Sequence, residues 1–197
     1  MRGKAGQDMA GARKSGGGEA RPLSAQQLEN VALHYLGRFA SSSANLRRIL
    51  LRKVARSGGG GEGEALVDAL IARYLASGLL DDRAYAVQTA ASLARRGASR
   101  YGIAGKLRQK GVGSELIEEA LGGLDSTGTG ELQAACALAR RRRLGPYRNA
   151  SLRAQWRQKD MASLARAGFG LDIARRVLDA ADVAVLEALA RGEEEDA

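Results

Sequence analysis

The sequence predicts an all-α chain of about nine helices arranged as three related repeats. Three observations carry this expectation. Helix-forming Ala, Leu, Arg and Glu are abundant, whereas aromatic residues make up only 4% of the chain and prolines number two, too few for a sandwich or barrel. Apolar residues recur at offsets of three and four between glycine stops. Finally, one stretch of sequence returns 57 residues further on, with Leu107, Gly111 and Val112 answered by Leu164, Gly168 and Phe169.

Taken in order, Ser24 can cap a first helix that turns Leu28, Val31, Ala32, Tyr35 and Leu36 inward. A second helix begins near Ser43 and buries Leu46, Ile49, Leu50 and Val54. Further helices are expected over 66–76, stopped by Gly78, and over 82–96, stopped by Gly97. Those over 99–110 and 114–121 end at Gly111 and Gly122, and the one over 131–144 ends at the breaker pair Gly145-Pro146. A helix over 151–167 stops at Gly168, and Asp172 opens a last one through Leu178; the relation of 181–190 to it is open. The repeat is read with Ile117 and Leu121 matching Ile173 and Val177. Ser57 to Gly63 and Gly122 to Gly130 have the composition of linkers. The expected organisation is a disordered Gly-rich basic tail over 1–22, repeats over 23–80, 81–124 and 125–191, and an acidic tail over 192–197.

At 197 residues, 45% hydrophobic and 27% charged, the chain has a globular balance. Its formal net charge is +9, which favours nucleic acid or an acidic protein surface as partner. No apolar run reaches the roughly 18 residues a membrane span needs, and the amino terminus has no signal-peptide core. One cysteine, Cys136, leaves no intramolecular disulfide, so a cytoplasmic protein is expected. The charge is also segregated. Residues 31–60, 95–110 and 140–159 carry six, six and eight basic residues and no acidic one, and acid-rich stretches follow each block. A surface that merely needed solubility would mix the signs.

Several motifs resemble a known family. Ala32-Leu33-x-Tyr35-Leu36-x-Arg38 with Ser42, Ser43 and Leu46 is similar to the opening of RecX proteins. The better match is Gly78-Leu79-Leu80-Asp81-Asp82-x-x-Tyr85-Ala86. It continues as Arg95-Arg96-Gly97-x-Ser99-x-x-x-Ile103-x-x-x-Leu107-x-x-Lys110-Gly111-Val112. Leu164-Ala165-Arg166-x-Gly168-Phe169-x-x-x-Ile173 resembles the last repeat of the family. Asn45 departs from the family's frequent Glu, and the glycine tract lengthens the first repeat. The resemblance implies tandem three-helix repeats in an elongated, curved array that lies in the groove of the RecA filament on DNA and modulates RecA. It also implies contact with single- and double-stranded DNA, a monomer, no cofactor and no catalysis.

The candidate contacts are the acid-free cations: Arg48, Arg52 and Arg56; Arg95, Arg96, Arg100, Lys106, Arg108 and Lys110; Arg140, Arg141, Arg142, Arg143, Arg153, Arg157 and Lys159. For any single arginine the alternative is a solvated helix face. For the Arg140–Arg143 run it is a helix end whose carbonyls attract cations. Tyr147 and Trp156 could stack on a base, although a lone Trp on an amphipathic helix is more often core. Asp81-Asp82 reads as helix capping rather than a metal pair, and His34 and Cys136 have no partner at ligand spacing. Gly102 to Lys106 lacks the first glycine and the final Ser or Thr of a phosphate loop. A nuclease would need clustered carboxylates or a histidine pair, so no enzyme is expected. A helical DNA-binding protein without a recombinase partner is the rival reading.

Overall fold

The computed structural model describes residues 22–126 and 130–191, so the expected tail over 192–197 and all but the last residue of that over 1–22 lie outside the described residues. Among the described residues there are ten helices: α1 (Ala25–Leu36), α2 (Ser43–Arg56), α3 (Gly61–Ala76), α4 (Asp82–Arg95), α5 (Arg100–Gln109), α6 (Ser114–Ser126), α7 (Glu131–Arg142), α8 (Ala150–Arg166), α9 (Leu171–Leu178) and α10 (Val183–Arg191). A 3₁₀ turn at Gly145–Tyr147 joins α7 to α8, and no strand occurs among the described residues. The tenth helix settles what 181–190 does. It buries Leu186 completely against the last core, beside Cys136. Burial pushes the Cys136 thiol up to about 11, so it is an apolar filler rather than a nucleophile.

Three separate hydrophobic cores divide the chain. One gathers Leu28, Leu46, Leu50, Val67 and Tyr74 of α1–α3. The second gathers Ala86, Ala90, Ile103, Leu107 and Ile117 of α4–α6, and the third Ala135, Leu138, Leu164, Val177 and Leu186 of α7–α10. Both glycine stretches read as linkers are partly helical. Helix α3 starts at Gly61, and Gly63 is buried because Val54 packs onto it so closely that a Cβ there would sit 2.5 Å from Val54 Cγ1. Helix α6 runs on to Ser126 because Leu124 falls one turn beyond Ala120 and is buried with it. The buried pairs also shift the register of the repeat by one residue: Ile117 and Ala120 correspond to Ala174 and Val177, not to Ile173.

The repeats are joined by one device used twice. The N-cap serine of the second helix of each repeat reaches forward to the turn after the second helix of the next. Ser42 Oγ donates to Lys110 O and Ser99 Oγ donates to Ala167 O at 2.6 Å, each spanning 68 residues. The glycine that follows each acceptor, Gly111 or Gly168, has φ of +77° or +89° and lies against Ala44 or Ser99 with no room for a Cβ. A first-turn acid of the next repeat then caps the same helix. Asp82 accepts from Ser43 N at 2.7 Å and Glu131 accepts from Arg100 N at 3.1 Å. Asp81 caps its own helix as expected, through Ala84 N, so only half of the acidic pair serves α4. Removing one hydroxyl should be felt at both ends. Ser99→Ala is expected to lower stability by about 1–2 kcal/mol, read as a lower midpoint in urea unfolding with unchanged slope.

Candidate functional site

The sixteen cations singled out from sequence divide by what their side chains touch. One group is occupied with holding the fold. Arg153 donates from Nε, Nη1 and Nη2 to the carbonyls of Arg148, Ala181 and Pro146, so it clamps α8 to the segment before α10. Arg157 makes a bidentate bond to Asp179 at 2.7–3.1 Å. Arg48 lies on Gln109 O and Asn45 Oδ1, bridging the first two repeats. Lys110 points to the same Asn45 oxygen at 3.4 Å. Arg141 reaches back to Arg96 O at 2.5 Å, and Arg96 itself folds onto Ser92. Arg100 donates its backbone N–H to Glu131 Oε2 at 3.1 Å. Arg48 and Arg153 are thus engaged within the protein, whereas Arg52 and Arg56 are not.

Asn45 is bonded through both ends of its side-chain amide. Its Nδ2 donates to Ser41 Oγ and Tyr35 Oη, while Oδ1 accepts from Arg48 and Lys110. The amide thus satisfies a buried site that receives two cations.

A second group stays exposed, with no side-chain hydrogen bond or ion pair among the described residues: Arg52 and Arg56 on α2, Arg95 on α4, Arg108 on α5, and Arg140 and Arg143 at the end of α7. Each of the three repeats contributes at least one. Lys53 and Arg166, outside the set expected from sequence, belong with them. Arg166 lies 57 residues after Gln109, which lies 57 after Arg52, so the spacing of the repeat was the signal that could have found it. Among the described residues, Lys106 is held only by its neighbour Gln109, and Arg142 only by Ser163 Oγ at 3.0 Å. The end of α7 does carry several cations at its exposed carbonyls, and Arg143 closes it in a left-handed conformation (φ 55°). Helix-end stabilisation and exposed guanidinium groups therefore coexist in the Arg140–Arg143 run.

The aromatic candidates differ from expectation. Trp156 is only half-buried and lies outside the third core, with Arg148 4.6 Å and Lys159 4.4 Å from its ring centroid. Tyr147 packs on that core and donates to Glu187 at 3.2 Å. Arg148, also outside the expected set, is paired with Asp160, a carboxylate only 2% exposed that accepts in addition from Gly145 N. No helix of the described residues is long and apolar enough to cross a membrane.

Separate small cores, serine-clamped junctions and unpaired cations on every unit define a tandem helical-repeat protein with a cationic surface. Residues 81–121 match the model for the second three-helix domain of RecX. Over 166 residues the chain is 46% identical to the regulatory protein RecX of Myxococcus xanthus (strain DK1622), an alignment covering 81% of this chain and 88% of that protein. It is 37% identical over 153 residues to the regulatory protein RecX of Agrobacterium fabrum (strain C58), covering 76% and 80%. The chain belongs to the RecX family of regulatory proteins. No solved structure matches it.

Proposed function

We propose that this chain binds along the DNA-carrying RecA filament through the unpaired cations of its three repeats, and that it thereby inhibits strand exchange and ATP hydrolysis by RecA. The observation that carries this reading is the recurrence of arginines unpartnered among the described residues, Arg52 and Arg56, Arg95 and Arg108, Arg140 and Arg143, on successive units of one scaffold. A filament presents the same anionic surface at regular intervals. Contacts made one repeat at a time raise the effective concentration for the next, so weak individual contacts sum to high avidity. Bridging neighbouring subunits alters filament growth with no catalytic residue involved. Membership of the RecX family of regulatory proteins, whose motifs this chain shares as described above, supports the choice of partner.

The test is the RecA ATPase on single-stranded DNA, with strand exchange in parallel. Sub-stoichiometric addition of this protein should depress both. Unchanged rates at saturating protein would overturn the proposal.

A further inference from the structure

The face that repeats 1 and 2 use to receive their successor has a counterpart in repeat 3, and its chemistry is changed. At the 57-residue offset Ser42 and Ser99 are followed by Trp156, Ala44 and Tyr101 by Gln158, and Asn45 and Gly102 by Lys159. In the first two repeats this face accepts the carbonyl end of a helix through a serine hydroxyl. In the third, Trp156, Gln158 and Lys159 line a cleft of about 640 Å³ together with Arg142, Arg148 and Arg166.

We propose that this cleft binds a nucleoside phosphate. Where the earlier repeats offer a hydroxyl to a helix end with its partial negative charge, the third offers Arg142, Lys159 and Arg166 to a ligand with full negative charge. The one carboxylate in the lining cannot cancel them: Asp160 is buried and already accepts from Gly145 N, Arg148 Nε and Arg148 Nη2. Lys159 and Arg148 lie against the indole and fix it, and Trp156 with Leu144 and Ala162 forms an apolar wall. An acidic peptide would satisfy the cations and leave that wall unused. A phosphate with its sugar and base uses both, and the volume falls in the usual range for small-molecule sites. The inference deepens the nucleic-acid part of the function proposed above, but its test contains no recombinase, so either can fail alone.

Trp156 is the only tryptophan in the chain, so its emission reports this cleft. The full chain is titrated at low salt with thymidine monophosphate, with a short oligothymidylate and with polyglutamate. Both nucleotide ligands should change the emission saturably, and the double variant R142Q/R166Q should bind about tenfold more weakly or worse. Equal affinity per site for monophosphate and oligomer would assign the cleft to free nucleotides; a marked preference for the oligomer would assign it to a strand. Anisotropy of a labelled oligomer, followed in the same samples, measures binding anywhere on the protein. A silent Trp156 when the oligomer is fully bound, or an equal response to polyglutamate, overturns the proposal.

Discussion

Gly97→Val should be among the most damaging single substitutions in this chain. Gly97 has φ of +80°, and a Cβ placed on it would lie 2.6 Å from Leu138 N and 3.0 Å from Ala134 O. Both atoms are backbone of α7, so no side-chain rotation can relieve the clash. The substitution must drive α7 away from α4, the helix-on-helix contact between the second and third repeats. Left-handed strain of about 1–3 kcal/mol adds to overpacking of about 1–3 kcal/mol. A loss of about 2–6 kcal/mol is expected from the two together, measured by urea unfolding. Gly78 separates the two causes: its φ is +74°, yet nothing lies within 4 Å of its Cβ position. Gly78→Val should therefore cost only the backbone part, about 1–3 kcal/mol. Equal losses at the two positions would show that the close approach at Gly97 contributes nothing.

Asp160→Ala is the second large effect. Asp160 occupies the place in α8 that Ile103 holds in α5 and Leu46 in α2, so a carboxylate stands where the repeat otherwise buries a hydrocarbon. Its two oxygens satisfy Arg148 and Gly145 N. Truncation leaves a partly buried guanidinium and a buried N–H without acceptors, at a cost of about 3–5 kcal/mol. Asp160→Asn keeps one acceptor oxygen and should fall between. Thermal unfolding should place the wild type first, the Asn variant second and the Ala variant last. If Ala and Asn were equally mild, the ion pair would not be what holds the turn after α7.

Helix positions were legible because each depends on local features: apolar spacing, a serine or aspartate at the start, a glycine at the end. The glycine tracts misled for a physical reason. Gly61 to Gly63 has the composition of a linker, but Gly63 is glycine because Val54, nine residues earlier, packs where its side chain would be. The serine clamps escaped notice because Ser42 and Ser99 look like ordinary helix caps, and their acceptors lie 68 residues away. The charge blocks were plain in the sequence; which cations remain unpaired was not. Nothing local distinguishes Arg153, held in part by Ala181 O, from Arg52, whose side chain makes no hydrogen bond or ion pair among the described residues. A tertiary contact made 28 residues downstream decides it.

In the proposed mode of binding, the unpaired cations of all three repeats act together on one anionic filament. Co-sedimentation with RecA filaments on single-stranded DNA, across a salt series, tests it for the wild type and for R52Q/R56Q/R108Q/R140Q. All four side chains lie at the surface without partners among the described residues, so the fold should persist. The wild type should bind filaments more tightly than bare DNA and lose affinity steeply with salt. The variant should bind far more weakly with a markedly shallower slope, since each phosphate that is no longer neutralised takes about 0.7 from the exponent on single strands. Variant binding that matched the wild type in strength and slope would show that these cations do not carry the interaction with the filament.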